Sequence, residues 1–197
     1  MTPPPWSLTG HGLIALYPPG PHTPPGALML VRYAGSPVGP YDELLWLTPA
    51  ASPAGTRPQV QAIWVSTRES AVGGQRNWGL PKRLARFGWS GSARRGAVHV
   101  TGENGAEVAR LAFEVGRPRL PVTTALIPAP LRTLAQPPLA PGGRWLLTRV
   151  GAAGQVTPAR LTVEHADGLH PFLRHARPAL TLAAPAFRLV FPLPDET

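Results

Sequence analysis

The sequence predicts a mainly β protein, a single domain built as an antiparallel β barrel or cone with a few short helices. Twenty-seven prolines and 21 glycines interrupt the 197-residue chain too often for long helices to form. Between these breaks lie roughly eight short runs with the residue types that favour strands. Turn residues separate the runs, which is the pattern of an antiparallel barrel or sandwich.

The predicted strands cover residues 27–33, 43–47, 60–66, 97–101, 107–115, 144–150, 159–165 and 187–191. Residues 107–115 alternate between an apolar face and a mixed face, as a half-buried strand does. The Asn104–Gly105 pair just before them predicts a tight hairpin turn. Residues 126–135 and 168–176 are candidates for short helices, although prolines limit both. No internal repeat is visible, so one domain spanning residues 1–197 is expected.

The composition and the N-terminal sequence argue against cysteine-dependent sites, membrane-spanning helices and a secretory signal. The chain has no cysteine, which rules out disulfides, thiolate metal sites and a cysteine nucleophile. No apolar run approaches the roughly 20 residues of a membrane-spanning helix. The first six residues carry neither a basic start nor an apolar core, so no secretory signal is expected. These features predict a cytoplasmic protein with no membrane partner.

The net charge of +9 raises nucleic acid as a partner, but the arginines are scattered along the chain. The densest basic stretch contains Lys82, Arg83 and Arg86. No recognition-helix pattern or aromatic RNA-binding motif accompanies it, so solvated surface charge and no nucleic-acid partner are predicted. The six histidines show no zinc-like spacing. Neither a metal nor a cofactor is therefore expected.

Lys82 is the only lysine in the chain, against 18 arginines. A guanidinium stays protonated, whereas a primary amine can lose its proton and attack a carbonyl to form a Schiff base. Arginine-for-lysine drift in a GC-rich genome would give the same count. The count alone therefore does not indicate a role for Lys82, and the residues around it carry the evidence. Trp78, Leu80 and Leu84 supply apolar bulk, and desolvation favours the neutral form of an amine.

Two sequence segments, one of which contains Lys82, match a recognisable pattern. Residues 39–43 (Gly-Pro-Tyr-Asp-Glu) and 78–85 (Trp-Gly-Leu-Pro-Lys-Arg-Leu-Ala) resemble two signature segments of the acetoacetate decarboxylase family. The resemblance implies that Lys82 forms a Schiff base with a β-keto acid and that Glu43 lies in the active site. Arg83 takes the place of the family's second basic residue. The resemblance also implies a β cone with a buried pocket, in a homo-oligomer.

The sequence departs from that pattern at two places. The decarboxylase proper carries a second active-site glutamate after an arginine-aromatic pair, but here Ala34 follows Arg32 and Tyr33. An N-terminal active-site arginine has no counterpart around residues 10–12. Three functions therefore remain open. They are decarboxylation of a β-keto acid, aldol or dehydration chemistry on a 2-oxo acid, and binding of a small ligand without catalysis.

The remaining candidate residues have alternative roles. Glu43 is either an acid/base group or a paired structural carboxylate. Tyr41 and Trp78 are expected to line the pocket. Arg32 is a candidate ligand for a substrate carboxylate, or a surface residue. Arg83 is expected to tune the amine, unless an extended backbone turns its side chain away from Lys82.

Overall fold

The computed structural model describes residues 2–20 and 24–197, and within these the chain is mainly β. The strands, numbered in chain order, are β1 (Trp6–Tyr17), β2 (Gly26–Gly35), β3 (Tyr41–Ala50), β4 (Arg57–Val65), β5 (Lys82–Gly91), β6 (Arg95–Gly102), β7 (Glu107–Val115), β8 (Leu120–Thr123), β9 (Thr133–Gln136), β10 (Leu146–Arg149), β11 (Gly151–His165), β12 (Leu180–Phe191) and β13 (Asp195–Glu196). One α-helix, α1 (Arg68–Trp78), joins β4 to β5. Two 3₁₀ turns, Thr124–Leu126 and Ala129–Arg132, precede β9.

Ten of these strands form one sheet in the order β12-β1-β2-β3-β4-β5-β6-β7-β11-β8. Strand β11 pairs with β7 through its C-terminal half and with β12 through its N-terminal half. The pairing therefore returns to the first strand of the order, and nine strands make a closed ring. All neighbours in it are antiparallel except β4 and β5, which are parallel because α1 carries the chain back between them. Strands β9, β10 and β13 form a second, three-stranded sheet.

The two faces of the large sheet bury different clusters. One cluster draws its side chains from strands all round the ring, including Leu30, Trp46, Val98, Leu111 and Ala183, and fills the interior. The other lies on the outer face of β1 to β5, under α1, and includes Trp6, Tyr33, Val65, Trp78 and Leu80. Because side chains alternate along a strand, neighbouring residues of β3 serve both clusters. Leu44 belongs to the interior and Leu45 to the outer cluster.

The mainly β fold is confirmed, and all eight predicted strand regions are strands. Two expectations were wrong. Residues 126–135, expected to be helical, contain a 3₁₀ turn and β9, because Pro128 and Pro130 keep the segment from forming α-helical hydrogen bonds. Residues 168–176, the other candidate helix, form only turns around Pro171. Strands β1, β5, β8, β9 and β13 and helix α1 were not predicted.

Helix α1 is held by its ends and by tertiary contacts. Thr67 caps its N-terminus, its side chain accepting a hydrogen bond from the backbone N–H of Ser70. Gly79 ends it in the left-handed region at φ 63°, a conformation that favours glycine. Gly73 lies against the ring of Trp6, where an added Cβ would stand 2.6 Å from the nearest ring carbon. Glycines in mid-helix lower its propensity, so packing rather than propensity makes this segment helical.

No helix among the described residues is both long and apolar enough to cross a bilayer.

Candidate active site

A buried ion pair joins Lys82 to Glu43 on the outer face of the sheet. Lys82 is the first residue of β5, Glu43 is the third residue of β3, and β4 lies between those strands. Lys82 Nζ lies 2.8 Å from Glu43 Oε2, and the two side chains are only 4% and 6% exposed. A charged pair this deep is costly to desolvate, so it persists only where further hydrogen bonds support it.

Tyr33 and Ser70 supply those hydrogen bonds. The Tyr33 hydroxyl donates to Glu43 Oε1 at 3.0 Å, so both carboxylate oxygens have partners. Lys82 Nζ also donates to Ser70 Oγ at 3.1 Å. The amine lies 5.2 Å from the centre of the Tyr41 ring, within the range of a cation–π contact. The amine is therefore held between a carboxylate, a hydroxyl and an aromatic face.

The two tyrosines of this cluster stay protonated. Burial, with the charge of Glu43 acting in the same direction, raises the pKa of Tyr33 well above its ordinary value. The same two causes raise the pKa of Tyr41, partly opposed by its hydrogen bond with Ser70. A protonated phenol at Tyr33 can only donate to Glu43 Oε1, which fixes the direction of that hydrogen bond.

Helix α1 closes over the lysine because one of its residues has no side chain. A Cβ added to Gly74 would lie 2.5 Å from Lys82 Cδ and 2.6 Å from Lys82 Cε, closer than atoms in contact can be. One residue further, Gln75 Nε2 donates to the backbone carbonyl of Lys82 at 2.7 Å. Pro81 restricts the backbone just before the lysine. Together these contacts fix the position of the amine.

Of the predicted site residues, the structure brings together Lys82, Glu43 and Tyr41. Trp78 instead packs edge-on against Trp6 at 4.9 Å and donates from Nε1 to the Pro192 carbonyl at 2.7 Å, so it anchors the end of α1. Arg83 is exposed, with its guanidinium 5.6 Å from the Trp64 ring centre. Its side chain points away from the amine because consecutive residues of a strand face opposite sides.

Arg32 lies on the other face of the sheet. It pairs with Asp42 at 3.1 Å, while the neighbouring residues Tyr33 and Glu43 form the cluster around the amine. Tyr33 and Ser70 were not predicted from the sequence. Tyr33 could have been found, since it directly faces Tyr41 once β2 and β3 are paired. Ser70 gave no signal because α1 itself was not predicted.

A surface groove of about 480 Å³ includes Lys82 in its lining. Arg68 on α1 and Arg83 on β5 line it as well, together with Trp64, Glu103 and Asn104. The two arginines are cationic donors suited to a carboxylate, and Glu103 is the one acidic residue beside them among the described residues that line the groove.

No group of three or more histidine, aspartate or glutamate side chains in residues 2–20 and 24–197 is arranged to hold a metal ion. His22, one of the six histidines, lies outside the described residues.

Comparison with known proteins supports the fold. No family model and no curated protein matches the sequence. Solved structures do match: acetoacetate decarboxylase from Legionella pneumophila is 13% identical, with a TM-score of 0.71 over 99% of this chain and 88% of that one. An acetoacetate decarboxylase-like enzyme from Sphingomonas wittichii RW1 is 11% identical, with a TM-score of 0.65 over 100% of this chain and 94% of that one.

The enduracididine biosynthesis enzyme MppR, solved with pyruvate, is 17% identical, with a TM-score of 0.65 over 100% of this chain and 91% of that one. The chain therefore has the acetoacetate decarboxylase-like fold. The proteins named above that share this fold are enzymes. At these identities the likeness establishes the fold alone.

Proposed function

We propose that the protein is a Schiff-base-forming enzyme in which the Lys82 amine attacks the carbonyl of a small oxo acid. The observation that carries this proposal is the chain's single lysine, buried with its Nζ 2.8 Å from Glu43 Oε2. A buried lysine–carboxylate pair on its own could be structural. The surrounding sequence of residues 78–85 and the enzymes that share the fold favour the catalytic role.

The first step needs a neutral amine. Transfer of a proton from Lys82 Nζ to Glu43 Oε2 along their hydrogen bond leaves a neutral amine and a neutral carboxylic acid. The amine then adds to the substrate carbonyl, and the resulting carbinolamine loses water to give a protonated Schiff base. Glu43 supplies the proton that the departing hydroxyl takes up. Tyr33 keeps the carboxyl group in place through Oε1.

With a β-keto acid the protonated Schiff base accepts an electron pair. The bond between the carboxylate carbon and the α-carbon breaks, carbon dioxide leaves, and the pair moves toward nitrogen to give an enamine. Protonation of the α-carbon and addition of water then release a ketone and regenerate the amine. Decarboxylation of an acetoacetate-like β-keto acid is the leading reaction. The groove with Arg68 and Arg83 is the proposed route by which the substrate carboxylate approaches.

A second reaction uses the same lysine. Aldol condensation or dehydration on a 2-oxo acid would begin from the same Schiff base but release no carbon dioxide. Ala34 favours it, because it replaces the second glutamate of the decarboxylase proper. The structural neighbour solved with pyruvate also favours it. Decarboxylation and dehydration need only the oxo acid and the groups of this chain, whereas the aldol reaction also needs an aldehyde, whose carbonyl carbon the enamine attacks.

Trapping with borohydride tests the proposal. The protein is incubated with acetoacetate or pyruvate and reduced, and any adduct is located by peptide mass spectrometry. Lys82 and the N-terminus are the only primary amines, so the assignment is unambiguous. We expect an adduct on Lys82 in the wild type and none there in Lys82→Arg, which keeps the charge but loses the amine.

The product separates the two reactions. Release of carbon dioxide from acetoacetate supports decarboxylation, whereas a Lys82 adduct with pyruvate and no release supports the aldol or dehydration reaction. Absence of a Lys82 adduct with every oxo acid tested would contradict both and leave ligand binding without catalysis.

A further inference from the structure

The interior of the strand ring contains a second cavity, on the opposite face of the sheet from Lys82. Its volume is about 780 Å³, within the range of small-molecule sites. Lys82 and Glu43 do not line it. The alternation of β3 separates the two places by one residue, since Glu43 faces the amine and Asp42 holds Arg32 at the cavity.

The cavity is apolar in its depth. Leu13, Leu30, Phe113 and Ala183 all line it and belong to the buried interior cluster. These side chains are between 1% and 8% exposed, so the cavity reaches the core of the ring. A ligand that fills this part of the cavity needs an aliphatic or aromatic portion, which gains free energy by leaving water.

The rim of the cavity is cationic. Arg94, Arg117 and Arg119 line it and are exposed, and none of the described residues that line it is acidic. Within residues 2–20 and 24–197, none of these three guanidinium groups forms an ion pair with a carboxylate. Clustered guanidinium groups at the mouth of a concave site attract anions and bind carboxylates through paired hydrogen bonds.

A fourth arginine is oriented by a network at the wall. Arg32 Nε donates to Asp42 Oδ1 at 3.1 Å, and its guanidinium stacks over Trp89 at 4.7 Å from the ring centre. Trp89 Nε1 donates to Asp42 Oδ2 at 3.0 Å, so one carboxylate holds both partners. Arg32 and Trp89 are thereby positioned before any ligand arrives, which lowers the entropy cost of binding.

We propose that this cavity binds an amphipathic carboxylate, with its apolar tail inside the ring and its carboxylate at the arginine rim. The apolar depth selects the tail, and the three rim arginines select the negative head. Neither feature alone specifies the ligand: a solvated cationic patch would take any anion, and a dry apolar cavity would take any small hydrocarbon.

Isothermal titration calorimetry with decanoate at about 0.15 M salt, where surface charge is largely screened, tests the proposal. Acetate supplies the head alone and decanol the tail alone. We expect decanoate to bind at least about tenfold more tightly than either, since each lacks one of the two contacts. Decanol binding as tightly as decanoate, or no decanoate binding at millimolar concentration, would overturn the proposal.

Two matched double variants locate the site. Arg117→Gln with Arg119→Gln removes two rim charges, and we expect it to weaken decanoate binding by about tenfold or more. Arg149→Gln with Arg160→Gln removes the same charge from exposed strand positions outside the cavity lining and should leave the Kd within about twofold. Equal weakening in both pairs would show a charge effect only and would overturn the assignment.

Two further measurements separate binding in the cavity from Schiff-base formation and from self-association. Lys82→Arg should bind decanoate like the wild type, so the outcome does not depend on Schiff-base chemistry. Light scattering during size exclusion tests whether a second copy of the chain fills the cavity instead. If the rim double variant changes the oligomeric state and the wild type binds no decanoate, the small-molecule assignment is wrong.

Discussion

At the scale of single residues, the candidate site is a balanced arrangement of buried polar groups. Glu43 has a partner on each oxygen, and Lys82 has a carboxylate, a hydroxyl and a ring around its amine. A buried charge without such partners would be strongly destabilising. The cluster therefore holds a buried amine inside a packed protein, and each member can be tested by removing one contact at a time.

Tyr33→Phe tests the hydrogen bond to Glu43. The change removes only the hydroxyl that donates to Oε1, so we expect the free energy of unfolding to fall by about 1.5–3 kcal/mol, the usual range for a hydrogen bond to a charged group. Tyr17→Phe is the matched control, because the buried Tyr17 hydroxyl has no hydrogen-bond partner among the described residues. It should be neutral or slightly stabilising in urea unfolding. Similar losses in both variants would contradict this account.

Because Lys82 and Glu43 are a buried ion pair, a second substitution at Glu43 should restore part of the stability that is lost when Lys82 is replaced. Lys82→Met leaves the Glu43 carboxylate buried without its cation, which should cost roughly 3–5 kcal/mol of unfolding free energy. Adding Glu43→Gln to that variant removes the stranded charge and keeps an acceptor for Tyr33. We therefore expect the double variant to be more stable than Lys82→Met alone, as measured by urea unfolding. A double variant less stable than Lys82→Met would show that charge burial is not the controlling cost.

At the scale of elements, α1 is the part that turns a strand end into a site. It brings Ser70 onto the amine and packs its glycines against Trp6 and Lys82. The chain around the lysine is extended, so β5 alone would leave the amine without a cover. The parallel pairing of β4 with β5 follows from the same helix, since a parallel connection needs a crossover.

Gly74→Ala tests this packing against propensity. In an exposed helix the change should stabilise by about 0.5–1 kcal/mol, but here the new Cβ would overlap the Lys82 side chain. We expect destabilisation of about 1–3 kcal/mol, the usual cost of overpacking, together with slower Schiff-base trapping. Val72→Ala, at a helix position 40% exposed, should change thermal unfolding by much less. Stabilisation by Gly74→Ala would refute the close packing.

Strand β7 and helix α1 show which parts of the fold could be predicted from the sequence and which could not. Strand β7 and its turn were predictable because alternation and an Asn-Gly pair are local signals. Helix α1 was not, because Gly73 and Gly74 argue against a helix until Trp6 and Lys82 are known to pack there. Lys82, Glu43 and Tyr41 could be grouped from two sequence segments. Ser70 enters the site only through the helix, so no local pattern could reveal it.

At the scale of the whole molecule, the large sheet separates the lysine cluster on its outer face from the cavity inside the strand ring. The outer face of β2 and β3 holds the lysine cluster, and the inner face of the same strands holds Arg32 and Asp42 at the ring cavity. Adjacent residues of each strand thus serve separate sites, as the period of two in a strand allows. A shift of one residue in the β2–β3 register would exchange the two sets of side chains, so both sites depend on the same pairing.

The closed ring predicts that the chain unfolds as one unit. The interior cluster joins β1, near the N-terminus, to Ala183 on β12, and the β11–β12 pairing closes the circle. No strand of the ring can leave without opening the core that the others share, so calorimetric and van't Hoff enthalpies should agree. Far-ultraviolet circular dichroism and tryptophan fluorescence should give the same Tm. Ala183→Asp, which places a carboxylate in the interior, should lower both together. Two separate transitions would instead divide residues 1–197 into independent folding units.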